Sequence, residues 1–183
     1  MWHAVLLFVL TTLLNAAHAN DFKAEVKHAE TNVQHGEYVL VADLDYHLSP
    51  QAQEALENGV PLFWRIEVKL QKQRDYFWNK TELKQILRYR LHYHALLNMY
   101  RVRNENTGAV NSFSTLSAAL NNMGTIRDFL LISTKNLTSQ TLYAVAIKVY
   151  FEDGELPLPL QTQVIANPQG QLSSEWTLWN LSN

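Results

Sequence analysis

The chain has 183 residues, with 15 Lys and Arg against 17 Asp and Glu, a formal net charge of −2 and no cysteine. This length allows one domain with a substantial core, and the near-neutral charge argues against a general nucleic-acid-binding protein, which needs a strongly basic domain. The absence of cysteine excludes thiol catalysis, thiolate metal sites and a lipid anchor on a cysteine.

The N-terminal segment has the pattern of a secretory signal peptide. Residues 4–14 form an apolar run, and Ala17, His18 and Ala19 fit the small-residue pattern of a cleavage site, although no Lys or Arg precedes the run. The run is shorter than the roughly 20 apolar residues that a membrane-spanning helix needs. We therefore expect an exported protein in which residues 1–19 are the signal peptide and residues 20–183 form one domain.

Alternation and capping patterns predict the elements of the first half. Residues 22–34 and 37–48 alternate between apolar and polar side chains around a turn at His35 and Gly36, which predicts a β-hairpin. Ser49 and Pro50 begin a short helix that ends before Gly59. Residues 62–71 then alternate for ten positions, as in a strand with one face on the core.

The second half continues with strands and one more helix. Alternation resumes over residues 83–103, with Leu87, Tyr89 and Leu91 on one face. The further predicted elements are a capped helix at 114–123, strands at 143–151, 161–166 and 172–181, and a proline-bearing extended segment at 156–160. Most connections are too short for crossover helices, so the strands pair antiparallel. The pattern predicts a mainly β fold, an antiparallel β-sandwich of seven or eight strands with two short helices.

Six ordered blocks resemble one family. They are residues 55–62 (ALENGVPL), 74–78 (RDYFW), 90–96 with 100–102 (RLHYHAL and YRV), 113–120 (FSTLSAAL), 156–161 (LPLPLQ) and 174–176 (SEW). The chain thus resembles the exported proteobacterial proteins of domain of unknown function family 4390. The resemblance implies a periplasmic location and transfers no activity, cofactor or catalytic residue. Family genes often lie beside those of membrane sensor kinases, which implies an accessory binding module with an envelope partner protein such as a sensor kinase.

A run of basic side chains is the candidate binding surface. Arg88, Arg90, His92 and His94 face away from the apolar side of their predicted strand, and Arg101 and Arg103 follow on the next segment. Guanidinium groups bind carboxylates and phosphates through two parallel hydrogen bonds. Candidate ligands are anionic lipid head groups, cell-wall fragments and an acidic face of a partner protein. The alternative is that these charges are structural and pair across strands with Glu67, Asp43 or Asp45.

The histidines suggest a second function. His92 and His94 project from one strand face at a spacing that can hold Zn²⁺ or Cu²⁺ if His47 or an acidic side chain supplies a third ligand, as in a metal-dependent enzyme. A lone pair of this kind is more typical of a solvated strand face, and the neighbouring arginines Arg88 and Arg90 repel a cation. The residues therefore favour a binding protein with no catalytic residue, metal or other cofactor.

Aromatic and acidic pairs offer weaker candidates. Trp64 alternates with apolar residues and is predicted to lie in the core, whereas Phe77 and Trp78 in a predicted turn either cap the core or form a stacking platform. Asp43 and Asp45 lie on one strand face, but no residue pattern places a substrate between them.

Overall fold

The computed structural model describes residues 23–74, 79–138, 141–152 and 173–181, which contain nine β-strands and two α-helices. In chain order these are β1 (Lys23–Gln34), β2 (Glu37–His47), α1 (Pro50–Glu57), β3 (Leu62–Lys72), β4 (Lys80–His94), β5 (Met99–Asn104), β6 (Val110–Phe113), α2 (Leu116–Gly124), β7 (Thr125–Ser133), β8 (Tyr143–Phe151) and β9 (Thr177–Asn180). Single 3₁₀ turns at Ala95–Leu97 and Thr134–Asn136 follow β4 and β7.

The strands form two antiparallel sheets. The smaller sheet has the order β1-β2-β7, and the larger has the order β6-β5-β4-β3-β8-β9. Strands β3 and β4 pair along nearly their whole length, from Leu62 opposite Leu91 to Lys72 opposite Lys80. The larger sheet therefore has β3 and β4 at its centre and two short strands, β6 and β9, at its edges.

The core lies between the two sheets. The inward side chains of β3 are all buried: Leu62, Trp64, Ile66, Val68 and Leu70. The indole ring of Trp64 packs edge to face against Tyr46 of the smaller sheet, 5.8 Å between centroids, and against Phe151, 5.3 Å away. Each such side chain contributes about 1.5–3 kcal/mol when it leaves water, so the apolar face of β3 is a substantial part of the core between the sheets.

Two capped helices close the core. The Ser49 hydroxyl oxygen accepts a hydrogen bond from the Ala52 N–H at 3.2 Å and begins α1. Gly59 follows the helix with φ +85°, a conformation that favours glycine. Thr115 caps α2 in the same way, accepting from the Ala118 N–H at 3.2 Å. Neither of these helices, nor any other helix in the described part of the chain, has the length and apolarity needed to span a bilayer.

The structure confirms the mainly β, antiparallel architecture of two sheets with two short helices. The hairpin of β1 and β2, the helix α1, and the strands β3 and β8 lie where the sequence predicts them, and α2 begins two residues later than predicted.

Residues 83–103 are not one strand, which corrects the prediction from their alternation. The 3₁₀ turn at Ala95–Leu97 and the left-handed backbone of Asn98, φ 50°, reverse the chain, so that β4 and β5 form a hairpin. Asn tolerates this conformation better than other residues with a side chain. The reversal brings the basic residues of β4 and β5 next to each other.

Strands β6 and β7 were not predicted. The alternation of β7 is broken by Asp128, whose φ is 50°, and its register against β2 shifts twice. Its extended form depends on long-range pairing with β2, which a local pattern does not reveal.

Several predicted features lie outside the described residues. These are the signal peptide at 1–19, the aromatic pair Phe77 and Trp78, and the extended and strand segments at 156–160 and 161–166.

Candidate functional site

The outer face of the larger sheet concentrates positive charge. Inward apolar residues alternate with outward polar ones along β3, β4 and β5, and the antiparallel registers place Arg65 opposite Arg88 and Arg90 opposite Arg103. The basic residues on this face are Arg65, Lys69, Lys84, Arg88, Arg90, Arg101, Arg103 and Lys148. Like charges directly opposite each other destabilise a sheet, so this arrangement is not expected for stability alone.

A cavity of 290 Å³ lies among the outward residues of β4, β5 and β6. Its lining consists of Pro61, Arg90, His92, Arg101, Arg103 and Val110, and we call this the basic groove. The β4–β5 register places Arg90 beside Arg103 and His92 beside Arg101. Pro61 and Val110 supply the apolar part of the lining. The groove is therefore a small apolar recess surrounded by guanidinium and imidazole groups.

One carboxylate serves two of the three arginines in the basic groove. Glu105 Oε1 lies 2.9 Å from Arg90 Nε and 3.7 Å from Arg103 Nε. Arg101 has no carboxylate within 4 Å among the described residues, and its side chain is exposed. Among the described residues the three guanidinium groups of the groove thus have one carboxylate between them, which contacts Arg90 and Arg103, and the groove keeps a net positive charge.

The β5–β6 turn holds Glu105 in this position. The Asn104 side-chain oxygen accepts hydrogen bonds from the N–H groups of Asn106 and Thr107, at 2.9 and 3.1 Å. Asn106 in turn donates to the Ile86 carbonyl at 2.9 Å and accepts from the Arg88 N–H at 2.8 Å, so the turn is bound to β4. The Glu105 N–H also donates to the Arg88 carbonyl at 2.8 Å. Glu105 is therefore fixed beside Arg90 by backbone geometry.

The structure brings together four of the six predicted binding residues. Arg90, His92, Arg101 and Arg103 line the basic groove, whereas Arg88 and His94 do not. Arg88 Nε lies 2.5 Å from Glu152 Oε2, and its guanidinium stacks on the Phe63 ring at 5.0 Å. The His94 ring lies 6.5 Å from that of His92 and opposite Met99, close to the β4–β5 turn.

The acidic residues proposed as structural partners of these arginines have other partners. Glu67 contacts Lys69 and Lys84 at 2.9 and 3.0 Å. Asp43 pairs with Arg127 at 2.5 Å, and Asp45 lies 3.6 Å from Lys27. Because Asp43 and Asp45 belong to the smaller sheet, they do not reach the arginines.

The carboxylates that contact the arginines are Glu105 and Glu152, which the sequence analysis missed. In the sequence, Glu105 continues the spacing by two of Arg101 and Arg103, and this spacing indicates that all three side chains lie on one strand face.

The described residues bring no third metal ligand to the histidine pair. Among residues 23–74, 79–138, 141–152 and 173–181, no three His, Cys, Asp or Glu side chains form a group that could hold a metal ion. His47 ends β2 of the smaller sheet, where its Nε2 lies 4.0 Å from Asp45.

Tyrosines fill the inner side of the strands that carry the groove. Burial raises the pKa of Tyr89, and burial together with the negative charge of Glu57 raises the pKa of Tyr100. The rings of Tyr93 and Tyr100 pack at 4.9 Å. The hydroxyl groups of Tyr89 and Tyr100 therefore remain protonated at neutral pH.

Comparison with known proteins gives a family and no closer relative. No curated protein and no solved structure matches the chain. The family model described as domain of unknown function DUF4390 matches residues 22–180, which include every element described above and all residues of the basic groove. The chain therefore belongs to the DUF4390 family.

Proposed function

We propose that this protein is a non-catalytic binding module of the bacterial envelope, and that the basic groove binds a carboxylate or phosphate group of a partner protein. The observation that carries the proposal is the excess of guanidinium groups in the groove: among the described residues Glu105 contacts Arg90 and Arg103, and Arg101 has no carboxylate within 4 Å. An exposed arginine without a partner presents a planar pair of N–H donors that matches a carboxylate or phosphate.

The size of the groove limits what it binds. A volume of 290 Å³ is at the lower end for small-molecule sites, which span about 300–1,000 Å³, so the groove accommodates one anionic group rather than a large ligand. An anion between Arg101 and Arg103 also relieves the repulsion of Arg103 by Arg90 on the neighbouring strand. Binding one side chain of a larger partner fits these dimensions.

The envelope location and the kind of partner follow from the sequence. The pattern of residues 1–19 favours export, and the resemblance of the chain to its family implies a membrane sensor kinase as the partner.

The test compares Arg101→Ala with Arg74→Ala. Both changes remove one exposed arginine, but Arg74 follows the far end of β3, and the 11 residues of that strand, about 36 Å in length, separate it from Pro61. We expect Arg101→Ala to weaken binding of poly-L-glutamate about tenfold in isothermal titration, as for loss of a charge-assisted hydrogen bond, and Arg74→Ala to leave it unchanged. The affinity of Arg101→Lys for poly-L-glutamate should lie between those of the two alanine variants, because lysine keeps the positive charge but lacks the paired N–H donors of a guanidinium group.

Capture of the tagged protein from cross-linked native envelopes extends the test to the natural partner. A protein recovered with wild type and with Arg74→Ala, and lost with Arg101→Ala, supports the proposal. Equal recovery with all three proteins, together with equal poly-L-glutamate affinities, contradicts it.

A further inference from the structure

The edge of the larger sheet next to the basic groove is open. Among the described residues β6 pairs with β5 and with no other strand. The side chains of Val110, Asn111 and Ser112 are exposed, and Val110 keeps 41% of its surface accessible despite being apolar. An edge strand exposes unpaired N–H and C=O groups and is a template for another strand.

The hydrogen-bond pattern identifies which groups are unpaired. The Asn104 N–H donates to the Ala109 carbonyl on the β6 side, and the Glu105 N–H donates to Arg88 on the β4 side. The N–H and C=O groups of successive residues point to opposite sides of a strand. Even-numbered residues of β5 therefore direct these groups to β6, and odd-numbered residues direct them to β4.

The register of β5 with β6 then gives the direction of the β6 groups. Val102 lies opposite Asn111, and Tyr100 lies opposite Phe113. The backbone hydrogen bonds between β5 and β6 are therefore formed by these pairs. Val110 and Ser112, opposite Arg103 and Arg101, therefore direct their N–H and C=O groups outward at the open edge.

The groove arginines can reach a strand added there. An added strand lies about 5 Å from β6 and about 10 Å from β5. On the outer face only the short side chains of Val110 and Ser112 stand between that strand and Arg103 and Arg101. An extended arginine side chain is long enough to pass over these two residues and meet an acidic side chain of the added strand.

We propose that the partner contributes an extended acidic segment that adds antiparallel to β6, with carboxylates at alternate positions bound by Arg101 and Arg103. The inference rests on the proposed function and deepens it, because it names the form of the ligand. The backbone of the segment bonds to Val110 and Ser112, and its alternate side chains occupy the basic groove.

A second copy of this chain is a poorer occupant of the same edge. Two copies joined through β6 place the β5 strands of the two molecules about 14 Å apart, so that the Arg101 and Arg103 side chains of both copies extend toward the same interface. Like charges facing each other across such an interface oppose association, whereas an acidic segment is complementary to it.

The test uses a seven-residue peptide that alternates Glu and Val, and the variant Ser112→Pro. Proline removes the outward N–H of Ser112, breaks no hydrogen bond to β5, and is tolerated on edge strands. Ser112→Ala keeps the N–H and is the matched control. We expect the peptide to bind wild type and Ser112→Ala equally, and to bind Ser112→Pro and Arg101→Ala at least tenfold more weakly by fluorescence anisotropy.

Methylated peptides give a measurement that does not depend on folding of the proline variant. In an antiparallel pair the Glu residues share a face with Val110 and direct their N–H groups to β6. A peptide N-methylated at its Glu residues should lose binding, and one N-methylated at its Val residues should keep it.

The outcomes separate this inference from the proposed function. If Arg101→Ala weakens peptide and poly-L-glutamate binding while Ser112→Pro and both methylated peptides behave like their controls, strand addition is wrong and the anion site stands. If Arg101→Ala binds both ligands like wild type, or wild type binds neither, both proposals are wrong.

Discussion

At the residue scale, Glu67 is a buried acid on the outer face of the larger sheet. Its side chain is 6% exposed and lies between the ammonium groups of Lys69 and Lys84, which are 2.9 and 3.0 Å away. Burial by itself raises the pKa of this carboxyl group, but the hydrogen bonds and positive charges of the two lysines outweigh it and hold the pKa below the ordinary value of 4.5. Glu67 is therefore charged at neutral pH and neutralises lysines of β3 and β4.

We predict that Glu67→Gln lowers the free energy of unfolding at pH 7 by about 1–3 kcal/mol, because the two lysines lose a charged acceptor. A lowered pKa in the folded state adds stability above the ordinary pKa, and that stability disappears as the pH falls through the folded-state value. Urea unfolding at pH 7 and at pH 3 measures this. The difference between wild type and variant should shrink below about pH 4.5, and a difference that stays constant would contradict the assignment.

The tertiary surroundings of Arg101 make it a candidate anion-binding residue. Its sequence neighbours suggest only an alternating basic strand, yet in the structure it lies beside His92 with no carboxylate within 4 Å among the described residues, while Glu105 pairs with Arg90 and Arg103. The substitution of Arg101 is for this reason the most informative single test of the site.

At the element scale, α2 is held against β2 by a glycine. A Cβ atom on Gly124 would lie 2.2 Å from the Leu44 carbonyl oxygen and 3.5 Å from the Tyr46 ring. Gly124 is the last residue of the helix and leads directly into β7, so the close approach fixes where α2 ends and β7 begins. The neighbour is backbone and cannot move aside as a flexible side chain would.

We predict that Gly124→Ala destabilises the protein by about 3 kcal/mol, at the upper end for overpacking. Gly59→Ala is the control: a Cβ there meets no atom within 4 Å, and the left-handed φ of +85° alone should cost about 1 kcal/mol. Thermal and urea unfolding of both variants give the comparison. Equal losses would show that the contact with the Leu44 carbonyl adds no larger cost and would contradict the prediction.

At the scale of the whole molecule, the near-neutral net charge hides a separation of charge between the sheets. The larger sheet carries the basic face, whereas the smaller sheet carries more acids than bases: Glu25, Glu30, Glu37, Asp43, Asp45 and Asp128 against Lys23, Lys27 and Arg127. Such an asymmetry orients an approaching charged partner and makes its association rate depend on ionic strength.

The two sheets depend on the contact of Trp64 with Tyr46. We predict that Trp64→Ala lowers the free energy of unfolding by about 3–5 kcal/mol, since the indole is fully buried between the sheets. Trp176→Ala removes the same side chain from the outer face, where the ring contacts the Lys69 ammonium at 4.0 Å, and should cost about 1 kcal/mol or less. Urea unfolding of the two variants measures the difference. Similar losses in the free energy of unfolding would contradict the role of Trp64 as a link between the sheets.

The sequence by itself determined the local structure and the chemical character of the site. The alternation of apolar and polar residues predicts β3 and β8, and Ser49 with Pro50 predicts the start of α1. Spacing by two places the basic residues on outward strand faces: Arg90, His92, Arg101 and Arg103. These properties depend on neighbours within a few residues, where side-chain direction and capping follow directly from the order of the residues.

Only the tertiary structure decided which residues meet. It formed β7 through pairing with β2, turned the chain at Asn98 so that β4 and β5 lie side by side, and brought Glu105 to Arg90. It also left the outer edge of β6 open beside the groove in the described part of the chain. Register, sheet order and ion-pair partners are set by contacts between distant segments, and a local pattern holds no information on them.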